Sequence, residues 1–177
     1  MKTIIKNSIF SRNRIYYSNN YQTGAALYIS SQNEDIFLEN TNFIENSLCP
    51  ASEIDWVQSI GGACLRTSGN NVNLIVNYSI FKGNNAIFDS TCIEFYGNNL
   101  TVNSSLFQEN TNLIIPIAKY GPNIFGYGAI FTICQNIIID FSFFIENMNY
   151  FGGTFFIDGS PEIQDLYISK WELVQFH

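Results

Sequence analysis

Short alternations of apolar and polar residues recur along this chain, each broken by Asn, Ser or Gly. Ile36 and Leu38, Leu74 and Val76, Leu100 and Val102, and Ile137 and Ile139 are pairs of apolar residues two apart. That period places both side chains on one face of an extended strand. Asp35, Asn73, Asn99 or Asn136 precedes each pair. Six residues after that position stands Thr41, Ser79, Ser105 or Ser142, and two residues later a Phe. The template is therefore Asn/Asp, apolar, x, apolar, two x, Ser/Thr, x, Phe, x, x, Asn.

Phe-x-x-Asn occurs five times in that frame: Phe10/Asn13, Phe43/Asn46, Phe81/Asn84, Phe107/Asn110 and Phe144/Asn147. The first unit keeps Ser8 but has Lys2 at its start. A sixth copy begins at Asp165, with Leu166 and Ile168 as its apolar pair, Trp171 for the hydroxyl and Leu173 for Phe. Units start at residues 2, 35, 73, 99, 136 and 165, so the spacings are 33, 38, 26, 37 and 29. A second apolar run lies between units: Gly24-Ala25-Ala26-Leu27, Gly61-Gly62-Ala63-Cys64-Leu65, Thr91-Cys92-Ile93, Gly126-Tyr127-Gly128-Ala129-Ile130 and Gly152-Gly153-Thr154-Phe155. Pro161 and Glu162 read as a helix start, with Ile163, Leu166, Tyr167, Leu173 and Val174 on one face. The repeat offset fits the same residues as strands and is preferred.

A unit with two or three short strands cannot bury its own apolar face and must stack on its neighbours. The pattern thus predicts an all-β fold, a single-stranded parallel β-helix of about six turns spanning residues 1–177. Unit lengths above the shortest imply inserted loops, one over 47–60 and one over 112–127. In such a coil Phe10, Phe43, Phe81, Phe107 and Phe144 form an aromatic stack. Asn13, Asn46, Asn84, Asn110 and Asn147 form a turn column whose amides bond from turn to turn. Asn also tolerates the left-handed backbone that sharp bends need, and the glycines suit tight corners. A leucine-rich repeat would need a Leu consensus at shorter spacing, and a propeller blade a longer regular one.

Composition supports a folded chain. Hydrophobic residues make up 46% and charged residues only 13%, while 23 Asn supply polar surface. A net charge of −7 with 8 Lys and Arg argues against nucleic acid as a partner. No stretch reaches the length of a membrane-spanning helix. Cys49, Cys64, Cys92 and Cys134 include no CxxC pair, and the one histidine is His177, so no metal and no cofactor is expected. Cys64 and Cys92 fall at matching strand positions in consecutive units and are expected to stack, as thiols or as a disulfide. Asn77, Asn99 and Asn103 begin Asn-x-Ser/Thr triplets; Asn99 occupies a repeat column, which leaves Asn77 and Asn103 as the glycosylation candidates. The N-terminus lacks the apolar run of a secretion signal.

With these motifs laid out, the chain resembles right-handed parallel β-helix proteins of the pectin-lyase-like class. Phe-x-x-Asn paired with Gly-Gly-Ala-apolar is similar to the repeat of chlamydial polymorphic outer membrane proteins. Gly61-Gly62-Ala63-Cys64 with Phe81-Lys82-Gly83-Asn84 carries it best. Similar repeats occur in large protist surface proteins. The resemblance implies the fold over essentially the whole chain, and a function among lyases, hydrolases and adhesins. The enzymes of the class cut acidic polysaccharides with clustered acids. Here Asp35 and Asp165 share a column four turns apart, and Asp140 falls in a column of Asn77 and Asn103. The expectation is therefore no catalytic residues. The expected function is a structural or adhesive solenoid of an extracellular or cell-surface assembly. An intracellular scaffold subunit is the alternative, and a polysaccharide lyase or hydrolase the second. Neither end reads as a polar cap, so other chains, or the rest of a longer polypeptide, are expected against both ends.

Overall fold

The computed structural model describes residues 1–16, 26–49, 64–86, 90–112, 128–148, 154–157, 165–169 and 172–174. Gly24, Gly61, Gly62, Gly126, Gly152, Gly153, Trp171, His177 and most of both inserted loops lie outside them. The described residues form strands and turns, without a helix.

Successive turns of the chain contribute their strands to four parallel sheets. The strands Lys2–Lys6, Asp35–Glu39, Asn73–Asn77, Asn99–Asn103, Asn136–Asp140 and Asp165–Ser169 form a six-stranded sheet in chain order. The strands Ile9–Ser11, Asn42–Ile44, Ile80–Lys82, Leu106–Gln108, Phe143–Ile145 and Glu172–Val174 form a second. A third holds Arg14–Tyr16, Ser47–Cys49, Asn85–Ala86 and Thr111–Asn112. The fourth holds Leu27–Ser30, Leu65–Ser68, Ile93–Tyr96, Ile130–Ile133 and Phe155–Ile157. Chain order within every sheet means that each turn lies on the one before. The architecture is a parallel β-solenoid.

The register follows the template. Lys2 pairs with Asp35, Asp35 with Asn73, Asn73 with Asn99, Asn99 with Asn136 and Asn136 with Asp165. Leu173 pairs with Phe144, so the described residues of the sixth unit, 165–169 and 172–174, are strands and not a helix, while Pro161, Glu162 and Ile163 lie outside the described residues. The register is unique because a slip of one residue would turn every apolar pair outward. Ile36, Leu38, Leu74, Val76, Leu100, Val102, Ile137 and Ile139 are all buried inside the coil. They meet Leu65, Ile93, Phe95 and Ile130 from the fourth sheet in one core.

The Phe column is continuous. Ring centroids stand 5.0, 4.9, 4.6 and 4.6 Å apart from Phe10 to Phe144, with interplanar angles of 10° or less. Parallel strands sit about 4.8 Å apart, so the backbone spacing itself imposes face-to-face stacking. Phe155 closes against Phe144 edge-on at 4.5 Å.

One sequence expectation needs correction. The left-handed residues at the turn are not the column Asn but those just before them: Arg12, Glu45, Gly83, Glu109 and Glu146, with φ from 53° to 63°. A second left-handed column precedes the hydroxyl: Asn7, Asn40, Tyr78, Ser104 and Phe141, with φ from 47° to 51°. The column Asn earns its place by side-chain bonding, and the bend is made by its neighbour. Gly69 marks a close backbone approach, since a Cβ there would lie 1.6 Å from the Ser31 carbonyl oxygen.

Burial in the stack predicts graded costs. Phe107→Ala should destabilise by about 3–5 kcal/mol, because its ring is fully enclosed. Phe10→Ala should cost clearly less, because Phe10 is only partly buried. Urea unfolding of both variants checks the order; equal midpoints would contradict it.

Candidate functional site

The residues that repeat most strictly are those that bond to their own copies. Each column Asn must satisfy an amide with two donor hydrogens and an acceptor oxygen inside a dry bend. Asn13 Nδ2 donates to Asn46 Oδ1 at 2.8 Å, Asn46 to Asn84 at 3.0 Å, Asn84 to Asn110 at 2.8 Å and Asn110 to Asn147 at 2.8 Å. The backbone N–H groups of Asn13, Asn46, Asn84 and Asn110 donate to the same oxygens at 2.9–3.2 Å. The second Nδ2 hydrogen goes back to the Phe carbonyl of the previous turn: Asn46 to Phe10, Asn84 to Phe43, Asn110 to Phe81 and Asn147 to Phe107, at 2.8–3.0 Å. Asn46, Asn84 and Asn110 thus each make two donor and two acceptor bonds.

The hydroxyl column works in the same way. Ser8, Thr41, Ser79, Ser105 and Ser142 donate to the carbonyl two residues earlier at 2.9–3.2 Å. The N–H groups of Thr41, Ser79 and Ser105 donate to the hydroxyl one turn on, each at 3.2 Å. Outside the coil, Asn73 Nδ2 donates to Asp35 at 2.7 Å, and Asn99 to Asn73 and Asn136 to Asn99 in turn. Asn99 is thereby engaged. Asn77 and Asn103 end their strands half-exposed, in the column of Glu39 and Asp140. Glu39 pairs with Asn77 and Asp140 with Asn103, so each of these acids faces an amide across its strand pair.

Cys64 and Cys92 are buried thiols one position before the paired Leu65 and Ile93. The Leu65 N–H donates to the Cys92 carbonyl at 2.9 Å. Burial, and then the hydrogen bond to Cys92, push the Cys64 thiol well above its ordinary pKa. Burial likewise raises that of Cys134. Such thiols are poor nucleophiles, because reactivity belongs to the thiolate.

Two polar clusters escaped the sequence reading. In the first turn Thr3 occupies the inward column of Ile36 and Leu74, and its hydroxyl donates to Glu34 at 2.6 Å. The Ser31 hydroxyl also donates to Glu34. These bonds, Ser31 first and then Thr3, hold the Glu34 carboxyl below the usual range. On the outer face of the fourth sheet Arg66 pairs in register with Glu94, with Nε 3.5 Å from the carboxylate. Glu94 is fully buried although its strand position points outward. The Arg66 guanidinium lies 5.5 Å from the Tyr96 ring, which meets Phe131 edge-on at 5.7 Å. Tyr28, one turn before Arg66, shares a hydrogen bond of 3.2 Å with Ser68. Extending the template through the second apolar run would have aligned Tyr28, Arg66, Glu94 and Phe131. The unit-to-unit glycine variation hid that column.

No family model matches this chain, and no curated protein or solved structure is similar enough to match. Among the described residues no group of three or more His, Cys, Asp or Glu is placed to hold a metal ion. None of their secondary structure is a helix long and apolar enough to cross a membrane.

Asn110→Ala should cost about 3–5 kcal/mol. It strips partners from the Asn84 N–H and amide, the Phe81 carbonyl and the Asn147 oxygen, and each buried orphan costs about 1–3 kcal/mol before relaxation. Denaturant melts check this, and a loss below about 1 kcal/mol would refute the ladder's importance. Glu34 gives a pH signature. Its folded pKa is depressed, so its contribution is present above the unfolded carboxylate pKa and is lost as pH falls through the folded one. Glu34→Gln should flatten stability against pH in the acid range; an unchanged acid slope would refute that role.

Proposed function

We propose that the chain is a structural solenoid, a right-handed parallel β-helix of the pectin-lyase-like kind. Its work is to present a stiff, repetitive surface within a larger extracellular or cell-surface assembly. The observation that carries this reading is the self-bonded Asn column. The most strictly repeated polar residues have their donors and acceptors taken by neighbouring turns, so repetition serves the stack. A catalytic centre would instead show as a departure from the repeat, with acids brought side by side at the distances glycoside hydrolysis uses. The acids of the first sheet face Asn across the register. The buried thiols Cys64 and Cys92 favour a second reading, a scaffold subunit of an intracellular complex, because stacked cysteines in an oxidising compartment tend to be joined.

The test is direct. Purified protein incubated with pectate and with neutral polysaccharides should release neither unsaturated uronates nor reducing ends. Release that disappears on mutating one acidic residue would establish an enzyme instead. Alkylation of the denatured protein, taken without reductant from its native source, separates the two structural readings. Labelled Cys64 and Cys92 indicate a reducing compartment, and protected ones an oxidising one.

A further inference from the structure

We propose that two copies of this chain pair side by side, the outer face of the first sheet packing on its copy across a two-fold axis parallel to the strands. The inference rests on the structural reading above and names a partner for it.

The face lies along the flank of the coil, not at an end of it. Side chains alternate along each strand, so the residues between and beside the buried pairs point outward. Ile4, Phe37, Ile75, Thr101 and Ile138 stand in register down the middle of this face. The column spans four strand spacings, about 19 Å. Ile4 and Ile138 are 48% and 42% exposed, and Phe37, Ile75 and Thr101 between them are partly exposed. Tyr78 and Phe141, on the bend that follows the strands, are exposed as well. An apolar stripe with a polar rim on an outer surface marks a contact site. The column that runs from Lys2 to Asn136 borders the stripe on one side, and the column that runs from Lys6 to Asp140 on the other. Lys2 flanks the stripe closely, its Nζ 4.2 Å from the centre of the Phe37 ring.

Charge along these columns selects the partner and the axis. A two-fold axis parallel to the strands, passing through the third turn, sets the first turn of one copy against the fifth of the other and the second against the fourth. Columns are kept, so Lys6 faces Asp140 of the other copy, and Lys2 faces Asn136. Asp35 and Glu39 face the amides of Asn99 and Asn103. Along the stripe Ile4 meets Ile138, Phe37 meets Thr101, and Ile75 meets its own copy. The two most exposed members of the stripe thereby cover each other, and no charge faces its like. Other placements do worse. An axis along the coil sets Lys2 against Lys6 and Asp35 against Glu39. An axis between the third and fourth turns sets Glu39 against Asp140. Like charges placed opposite each other disfavour both. The contact is isologous and closes as a dimer, and sheets that pack face to face keep their strands nearly aligned. The face is small, so the dimer is a weak one that forms as protein concentration rises.

Sedimentation velocity of the whole chain tests this. The mean mass should rise with protein concentration toward twice that of the monomer and no further. Lys6→Asp alone, or Asp140→Lys alone, should weaken pairing about tenfold, because both symmetry-related contacts then set like charges together. An equal mixture of the two variants should restore pairing, because each then meets an opposite charge at both contacts. Circular dichroism on each variant confirms retained β-structure. A second measurement leaves the charges alone. Ile75→Cys, close to the axis, should be joined to its copy by a short bismaleimide, and Ile4→Cys should not, because its copy lies four strand spacings away. A monomer at every concentration, growth beyond a dimer, a mixture no better than either variant, or equal cross-linking of the two cysteine variants would overturn the proposal. Release of uronates or reducing ends from a polysaccharide would instead overturn the structural reading, and the two failures are distinct.

Discussion

A polar group buried at a bend of a stacked coil has few neighbours, and the ones always at hand are the same position one turn before and one turn after. Whatever residue is chosen must therefore be able to bond to a copy of itself. An amide can, since it carries donors and an acceptor; a hydroxyl can, more sparingly; a carboxylate or an ammonium cannot. Asn at one bend and Ser or Thr at the other satisfy this constraint. With both bends sealed, Phe and the aliphatic pairs between them have no option but to repeat in register. The stacking distance of the strands then fixes ring stacking and side-chain size together.

The same constraint explains the low charge. A charge repeated in every turn would face its own sign at strand spacing, which disfavours charged columns, and Glu109 beside Glu146 is an exception to that tendency. Lys6 over Glu39 and Arg12 over Glu45 show cation and acid taking consecutive places. Asn73, Asn99 and Asn136 then continue on amides the column that begins with Lys2 and Asp35.

Much of this was legible in the sequence because the fold is a copying operation. A fixed offset from Asp35 to Phe43, and again from Asn73 to Phe81, is enough to set the register of two sheets. The first and second strands of a turn are joined by a bend of constant length, so counting suffices. What was not legible lies where counting fails. The left-handed positions fall on Glu45 and Glu109, residues without any preference for that backbone, because the buried Asn that follows fixes the bend. The Arg66–Glu94 pair sits in the fourth sheet, after segments of variable length, where the offset from Phe to the next strand changes with every turn. Thr3 was hidden for a third reason. It departs from the apolar column, and only its bond to Glu34 shows how the departing hydroxyl is satisfied.

The amide ladder also has a direction. Every Oδ1 from Asn46 to Asn147 accepts from the turn before it, so the carbonyl dipoles point the same way along the coil. Aligned amides polarise one another. The column is therefore a fixed string of dipoles, with its oxygen end at the first turn and its N–H end at Asn147. The four cations of residues 1–33 gather at the oxygen end, and Asp140, Glu146, Asp165 and Glu172 lie toward the other. A coil built in this way is electrically polar along its axis. Reversing one amide within it would set oxygen against oxygen on one side and N–H against N–H on the other, so the column favours a single direction.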